Sequence, residues 1–169
     1  NRTYKKIVII SSGIANTAIS RWSSDGDLNQ MLLDTLLPIK KYKVTNVIWH
    51  QGESDFQINT SAEEYKQSFY SLKDSLRSIG NSAPFFISIA TKCANQAFWK
   101  PDNPTALGQK ELKDNKDIFI ATNTDLLENA DRASNPCHFS QTGQYKPAEA
   151  FAKAIQRYTN SIRSDELGN

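Results

Sequence analysis

The alternation of apolar and polar positions predicts strands and helices in regular succession along the whole chain. Short apolar runs at residues 5–10, 44–49, 84–91 and 118–121, each bounded by polar or turn residues, predict four strands. Few polar residues interrupt these runs, which is typical of strands that are covered on both faces of a parallel sheet. A stretch with helical spacing follows each run, so we expect a helix after every strand.

The most regular helical stretch begins at Ser61 and ends before Gly80. Ser61 and Glu64 have the spacing of a capping box, in which each side chain accepts a hydrogen bond from a free backbone N–H of the first turn. Gly80 suits the left-handed conformation that ends many helices. The apolar stripe between them is expected to be core (Tyr65, Phe69, Leu72, Leu76 and Ile79).

Three further helices are predicted from less regular patterns. Asp25 or Asp27 can cap a helix that Pro38 brings to an end. A weaker helix spans about residues 105–113, and the last helix, after residue 143, has apolar residues at helical spacing (Phe151, Ala154, Ile155, Tyr158 and Ile162). Strands that alternate with helices imply right-handed crossovers and a three-layer α/β/α sandwich around a parallel, flavodoxin-like sheet. No repeat, low-complexity tract or linker interrupts the alternation, so residues 1–169 are interpreted as a single domain.

Composition and charge exclude several classes of function. The 169 residues are 38% hydrophobic and 22% charged, which is ordinary for a globular domain. A formal net charge of +2 with scattered basic residues argues against nucleic acid as a partner, and only residues 40–43 (KKYK) cluster. No run approaches the roughly 18 apolar residues that a membrane span needs. We therefore expect neither a nucleic acid nor a membrane partner.

Candidate chemistry begins directly after the second predicted strand. His50, Gln51, Gly52, Glu53, Ser54 and Asp55 follow Trp49 without a break. In an open α/β sheet, ligands bind outside the carboxyl ends of the strands, where such polar residues would lie. The alternative is an ordinary solvated turn at Gly52.

A second polar stretch precedes the last helix and contains the other of the two histidines. Residues 135–143 (NPCHFSQTG), here called the His138 segment, place His138 on a polar loop that leads into a helix. The unperturbed pKa of histidine lies near neutral pH, so a histidine on such a loop can serve as a general base. A surface histidine that makes a capping contact is the alternative.

Three stretches together resemble conserved blocks of SGNH-type carbohydrate esterases, in particular the sialate O-acetylesterase and acetylxylan esterase branch. Residues 49–55 (WHQGESD) resemble the third block, the His138 segment resembles the last block, and residues 15–22 (ANTAISRW) resemble the second block in a degraded form. The resemblance spans roughly residues 5–158. It implies a serine esterase that removes acetyl groups from a carbohydrate without a metal or cofactor.

The resemblance also implies roles for single residues. His138 matches the family's general base, and Gln51 matches the amide of the oxyanion hole. Asn16 stands where the second block has a glycine, and its backbone N–H could still serve the oxyanion. Trp22 and His50 are candidates for contact with the sugar, although packing is the more expected fate of Trp22.

The last block departs from the family at the residue that orients the base. Asn135 stands in place of the usual Asp, and an amide cannot stabilise an imidazolium by charge. Glu53, Asp55 or Asp131 could supply the carboxylate, or the enzyme could use a dyad or be weakened. We favour Glu53, because it is expected on the adjoining strand-end loop.

The family's first block, a strand that ends in Gly-x-Ser and carries the nucleophile, has no match in the chain. The match at residues 15–22 makes residues 7–10 the second strand of a sheet in which the first strand lies between the second and the third. We therefore expect this chain to be the C-terminal part of a larger polypeptide, with strand and serine supplied by a second segment. Ser11 and Ser12 are weaker alternatives as nucleophile, and Ser54 follows the Glu at a position that does not attack in the family.

Two other classes of function remain open at this stage. A catalytically silent carbohydrate-binding module with the esterase fold is favoured by Asn135, by the lost glycines of the second block and by the absent nucleophile. A flavodoxin-like nucleotide- or phosphate-binding domain is disfavoured, because the chain lacks a Gly-rich phosphate loop.

The two cysteines, Cys93 and Cys137, do not have metal-ligand spacing. Two buried thiols and one disulfide both fit the sequence. A disulfide would favour an oxidising location: extracellular, periplasmic or on a virion.

Overall fold

Three parallel strands form the central sheet. The computed structural model describes residues 5–93 and 98–167. Within them, strands β1 (Val47–Trp49), β2 (Phe85–Ile89) and β3 (Ile118–Asn123) lie side by side in the order β1-β2-β3. β1 pairs with β2 from Val47–Phe85 to Trp49–Ile87, and β2 continues the ladder with β3 from Phe85–Ile118. Three of the four predicted strands are thus confirmed, in parallel pairing.

Helices cover both faces of this sheet. The helices are α1 (Asp27–Leu36), α2 (Glu53–Gln57), α3 (Ala62–Ser78), α4 (Pro104–Glu111) and α5 (Tyr145–Leu167). One face of the sheet packs Phe85 and Ile87 against Phe69 and Leu72 of α3, with α1 contributing to the same cluster. On the other face, Phe86 packs against α5. The predicted α/β/α sandwich is therefore confirmed.

The ends of α3 agree with the sequence, whereas the start of α1 does not. Ser61 Oγ accepts a hydrogen bond from the Glu64 N–H at 3.2 Å, and Glu64 Oε2 accepts one from the Ser61 N–H at 2.9 Å. Gly80 follows the helix with a φ of 85°. The prediction of an aspartate cap on α1 is wrong: Gly26 occupies the cap position, and Asp27 forms an ion pair with Arg21 at 2.6 Å.

The strand predicted at residues 5–10 is also absent from the structure. This segment is an irregular, solvent-exposed stretch in which Ile7, Val8 and Ile9 are 75%, 86% and 85% exposed. The sequence analysis expects one more strand between this segment and β1. None of the described residues forms that strand. An apolar segment without a partner strand cannot form a ladder, because its N–H and C=O groups have nothing to pair with.

The outer edge of β1 is correspondingly bare. Ile48 lies in register with Phe86, on the face that α5 covers. Phe86 is fully buried there, yet Ile48 is 57% exposed. At the amino ends of β1 and β2, a cleft of about 400 Å³ lies between residues 43–46, residues 82–84 and the α5 side chains Tyr158 and Ile162. The layer that covers β2 and β3 therefore does not extend over β1.

Candidate functional site

The carboxyl ends of the three strands bring the polar stretches of the sequence to one edge of the sheet. His50 and Gln51 follow β1, Thr91 and Lys92 follow β2, and Thr124 begins a short 3-10 turn after β3. Parallel strands end at the same edge, and in open α/β sheets that edge is where ligands bind. The candidate site lies here.

A buried carboxylate connects the loop after β1 to the 15–22 segment. Asp55 is 0% exposed, and its Oδ2 accepts a hydrogen bond from the Ile19 N–H at 2.9 Å. The same oxygen accepts a hydrogen bond from Nε2 of Gln51. Burial raises the pKa of Asp55, and these hydrogen bonds oppose the rise because they favour the charged form. Asp55 therefore holds two of the three family-like stretches together.

The Gln51 amide is fully engaged in this structure. Its Nε2 donates to the Thr17 carbonyl oxygen at 2.9 Å as well as to Asp55, and its Oε1 lies 3.2 Å from the Tyr65 hydroxyl. An amide nitrogen has two hydrogens, so both are in use. One of these bonds must be exchanged before Gln51 can donate to an oxyanion.

The main chain of Gln51 is clamped from α4. Gln109 is fully buried, and its Nε2 donates to the Gln51 carbonyl oxygen at 2.7 Å while its Oε1 accepts from the Ala90 N–H at 2.9 Å. The end of β1 is thereby fixed to the end of β2. Gly52 lies against this clamp with a φ of 148°, and a Cβ there would lie 2.2 Å from Gln109 Nε2 and 2.4 Å from the Ala90 oxygen.

The 15–22 segment meets Gln51 through Thr17, the neighbour of Asn16, and buries Trp22 in the core. Asn16 is exposed and has a φ of 57°. This is the left-handed conformation, which suits a glycine best and which asparagine tolerates better than most residues. The adjoining Thr17 carbonyl is the one that Gln51 contacts. Trp22 is 3% exposed and packs edge-on against Trp49, with 5.7 Å between ring centroids. The structure thus supports packing for Trp22, and no face of its ring is open to a sugar.

His50 faces the end of β3 and the His138 segment. Its Nε2 lies 3.2 Å from Thr124 Oγ1, and its ring meets the Phe139 ring edge-on at 5.6 Å. Glu53, the first residue of α2, lies near His50 and Arg132. Burial raises the pKa of Glu53, and the nearby Asp125 adds to the rise, whereas His50 and Arg132 oppose it. The carboxylate that we favoured from the sequence is therefore beside His50.

His138 itself is exposed on a tight loop. Its N–H donates to the Asn135 carbonyl oxygen and its carbonyl oxygen accepts from the Ala133 N–H, both at 3.0 Å. The side-chain oxygen of Asn135 accepts from the Cys137 N–H at 3.0 Å, so the amide shapes the loop instead of contacting the imidazole. Asp131 is paired with Lys146 at 2.7 Å.

A disulfide joins the His138 segment to the end of β2. Cys93 and Cys137 are bonded, with 4.0 Å between their Cα atoms. Of the two possibilities that the sequence left open, the structure has the disulfide. No helix in the described part of the chain is long and apolar enough to cross a bilayer.

Sequence reasoning missed four residues that organise this edge. Tyr65 and Gln109 contact Gln51; Asp125 binds the Thr91 and Lys92 N–H groups at 2.7 and 2.8 Å; Arg132 braces the His138 segment. A signal existed for Asp125, because a polar stretch follows β3 as one follows β1. Tyr65 and Gln109 lie in helical stripes and look like ordinary helix residues. Among residues 5–93 and 98–167, no cluster of His, Cys, Asp and Glu is arranged to hold a metal ion.

Comparison with known proteins points to one family. The family model described as carbohydrate esterase, sialic acid-specific acetylesterase, matches residues 1–157. A crystal structure of a protein from Arabidopsis thaliana is similar with a TM-score of 0.63 and 21% identity over 83% of this chain. The match covers 56% of the Arabidopsis chain. No curated protein matches the sequence.

We predict that Gly52→Ala destabilises the protein by about 2 kcal/mol or more, since a side chain at this φ is strained and would overlap Gln109 and the Ala90 oxygen. Urea unfolding measures the change. Gly13→Ala is the matched control, because nothing lies within 4 Å of its Cβ position. Equal stabilities for the two variants would contradict the close packing of Gln109 and Ala90 against Gly52.

We predict that Glu53→Gln becomes stabilising relative to the wild type as the pH rises. Burial raises the pKa of Glu53 in the folded state. Its contribution is therefore fully present below the unfolded pKa of about 4.3 and is lost as the pH rises through the folded pKa. Unfolding free energies at pH 4, 5.5 and 7 test this.

Glu63→Gln is the control for that series, because the pKa of Glu63 is lowered by hydrogen bonds to Lys66 and Gln67. Its difference from the wild type should change with pH in the opposite direction. A difference for Glu53→Gln that does not change between pH 4 and 7 would show that this carboxyl is not perturbed.

Proposed function

This chain belongs to the carbohydrate esterase family of sialic acid-specific acetylesterases, and from that premise we propose that it is the base-bearing part of a serine O-acetylesterase. Its substrate is an acetylated carbohydrate: acetylated sialic acid, xylan or a bacterial surface polysaccharide. The observation that carries the proposal is the convergence of the 15–22 segment, the loop after β1 and the His138 segment at one sheet edge. The bonds from Asp55 to Ile19 and from Gln51 to Thr17 join the first two. The disulfide brings in the third.

The proposed reaction has two steps, acylation and deacylation. A serine attacks the acetyl carbonyl while His138 takes its proton, and His138 then gives that proton to the sugar oxygen as the C–O bond breaks. Water, activated by His138, next releases acetate from the serine. The Asn16 backbone N–H and the Gln51 amide are proposed to hold the oxyanion in both steps.

The nucleophile is proposed to come from a second polypeptide segment that carries the first strand. Two observations support this. Ile48 is 57% exposed at the bare edge of β1, and residues 7–10 form an apolar stretch that pairs with none of the described strands. A parallel strand between residues 7–10 and β1 would pair with both and end, like β1, at the candidate site.

Glu53 is our candidate for the carboxylate that supports the imidazolium. Asn135 carries no charge and its side-chain oxygen is occupied by the Cys137 N–H, while Asp131 is paired with Lys146. Glu53 lies near His50 and Arg132, and the His50 ring contacts Phe139, which follows His138 in the chain. Charge from Glu53 would favour the protonated base in the transition state.

A catalytically silent carbohydrate-binding module is the second candidate. The observation in its favour is that the Asn135 amide is used to shape the loop, so no side chain from the usual position orients the base. Hydrolysis of a simple acetyl ester separates the two candidates. The disulfide further favours an extracellular, periplasmic or virion-associated location, since such bonds persist in oxidising surroundings.

We predict that His138→Ala lowers the deacetylation kcat by a factor of about 10² to 10⁴, the usual contribution of a general base. Because the imidazole is exposed, the thermal midpoint should stay within about 2 °C of the wild type. Release of acetate from an acetylated sugar is the measurement, made on the protein together with its serine-bearing segment.

Two companion variants sharpen this test. Lys153→Ala, at an exposed ion pair on α5, should leave turnover unchanged. Asn135→Asp should leave kcat nearly unchanged, because the side-chain oxygen at position 135 accepts from the Cys137 N–H and does not contact the imidazole. Normal turnover in His138→Ala would rule out the mechanism proposed here.

We predict that the purified active protein contains a second segment, visible in an intact mass spectrum under denaturing and reducing conditions. That segment should contain an apolar strand followed by Gly-x-Ser, either as a separate peptide or as additional mass on the same chain. If this chain were active alone, the strand order would be wrong. Ser11→Ala and Ser12→Ala would then identify the nucleophile.

A further inference from the structure

We infer that Arg132 is the positioning residue that holds His138 at the strand ends, and that it acts in parallel with the Cys93–Cys137 disulfide. The inference deepens the proposed function, because it rests on His138 as the general base. It concerns a residue that no sequence pattern singled out.

Arg132 grips the residues on both sides of His138. Its Nη1 donates to the Cys137 carbonyl oxygen at 3.4 Å, and its guanidinium lies 4.8 Å from the centre of the Phe139 ring. The backbones of Arg132 and Phe139 also form an antiparallel bridge. The flanking residues are fixed in this way while the imidazole between them stays exposed.

The other side of the guanidinium is anchored to the end of β3. Nη2 donates to the Thr124 carbonyl oxygen at 2.7 Å, and Nε donates to the Leu127 carbonyl oxygen at 2.9 Å. One rigid fork thus spans the turn after β3 and the His138 segment. Arginine suits this task because its donors have a fixed planar arrangement, which lysine lacks.

The turn that Arg132 grips is itself fixed to β2. Asp125, the neighbour of Thr124, accepts hydrogen bonds from the Thr91 N–H, the Thr91 hydroxyl and the Lys92 N–H at 2.7, 2.7 and 2.8 Å. His138 is therefore connected to the end of β2 through Asp125 and Arg132.

The disulfide provides a second route between the same two places. Cys93 follows Lys92, and Cys137 precedes His138, so the covalent bond joins the end of β2 directly to the His138 segment. Two routes that share both endpoints can substitute for each other. Loss of one connection should displace His138 partly from the strand ends, and loss of both should leave the His138 segment without either connection to β2.

The test compares four variants, each in the protein with its serine-bearing segment. Two are the single substitutions Arg132→Met and Arg132→Lys. The third replaces both cysteines (Cys93→Ser and Cys137→Ser), and the fourth adds Arg132→Met to that cysteine pair. Misplacement of a reacting group by about 1 Å can cost a factor of 10² in rate. Loss of the Arg132 contacts alone, or of the disulfide alone, should lower kcat about tenfold and leave KM nearly unchanged. The combination should lower kcat by more than the product of the two effects.

Arg132→Lys distinguishes position from charge. Lysine keeps the positive charge near Glu53 but cannot span the four contacts, so it should fail as Arg132→Met does. Arg157→Met, an exposed arginine on α5, is the control and should leave kcat unchanged. Full rescue by lysine, normal kcat in Arg132→Met, or a combined effect equal to the product would each overturn the inference.

Backbone hydrogen exchange tests the same inference without activity. The Ala133 N–H donates to His138 and the His138 N–H donates to Asn135, so both amides should exchange about tenfold faster in Arg132→Met. Faster exchange in Arg132→Met, combined with a wild-type protein that hydrolyses no acetyl ester, would remove the proposed function and leave the positioning role standing. Unchanged exchange in the variant would remove the positioning role.

Discussion

The site depends on one buried carboxylate. Asp55 accepts a hydrogen bond from the Ile19 N–H and another from the Gln51 amide, so it fixes the 15–22 segment to the loop after β1 across 36 residues of sequence. An ionised carboxylate out of water is unfavourable unless it is hydrogen-bonded, and the raised pKa of Asp55 reflects that cost. The position of Gln51, and through Thr17 that of Asn16, follows from this one group.

The rest of the edge is organised on the same principle. Gln109, Asp125 and Arg132 all come from neighbouring elements, and each of them binds main-chain groups of the loops. A loop that is held by its backbone keeps its own side chains available. This explains how His138 can be exposed on a loop whose main chain is fixed at several points. It also explains why Gly52 must lack a side chain, since the holding residue passes directly over it.

The sequence predicted the parts of the structure that local rules determine. The capping box at Ser61, the left-handed Gly80, the strands β1 to β3 and their parallel order all follow from spacing and residue type. The resemblance identified the three candidate stretches. Their position at one edge could be expected because parallel strands end together.

What could not be predicted depends on contacts between distant residues. Gln109 meets Gln51 across 58 residues, and no pattern in α4 distinguishes it from a surface glutamine. The aspartate cap was wrong because the helix begins at Asp27 itself, so Gly26 occupies the cap position and the Asp27 carboxylate pairs with Arg21. The strand at residues 5–10 failed because strand propensity without a neighbouring strand does not make a sheet.

The disulfide has a consequence for how this protein withstands proteolysis. Cys93 and Cys137 are 44 residues apart, and the ring that they close contains all of α4 and β3. Closing a ring of that size restricts the unfolded chain by about 4 kcal/mol in the chain-entropy description. Because this bond is covalent, a protease that cuts once between the two cysteines would leave the pieces joined. The cut would be invisible by size until the bond is reduced, and the histidine-bearing half could not diffuse away from the sheet that positions it.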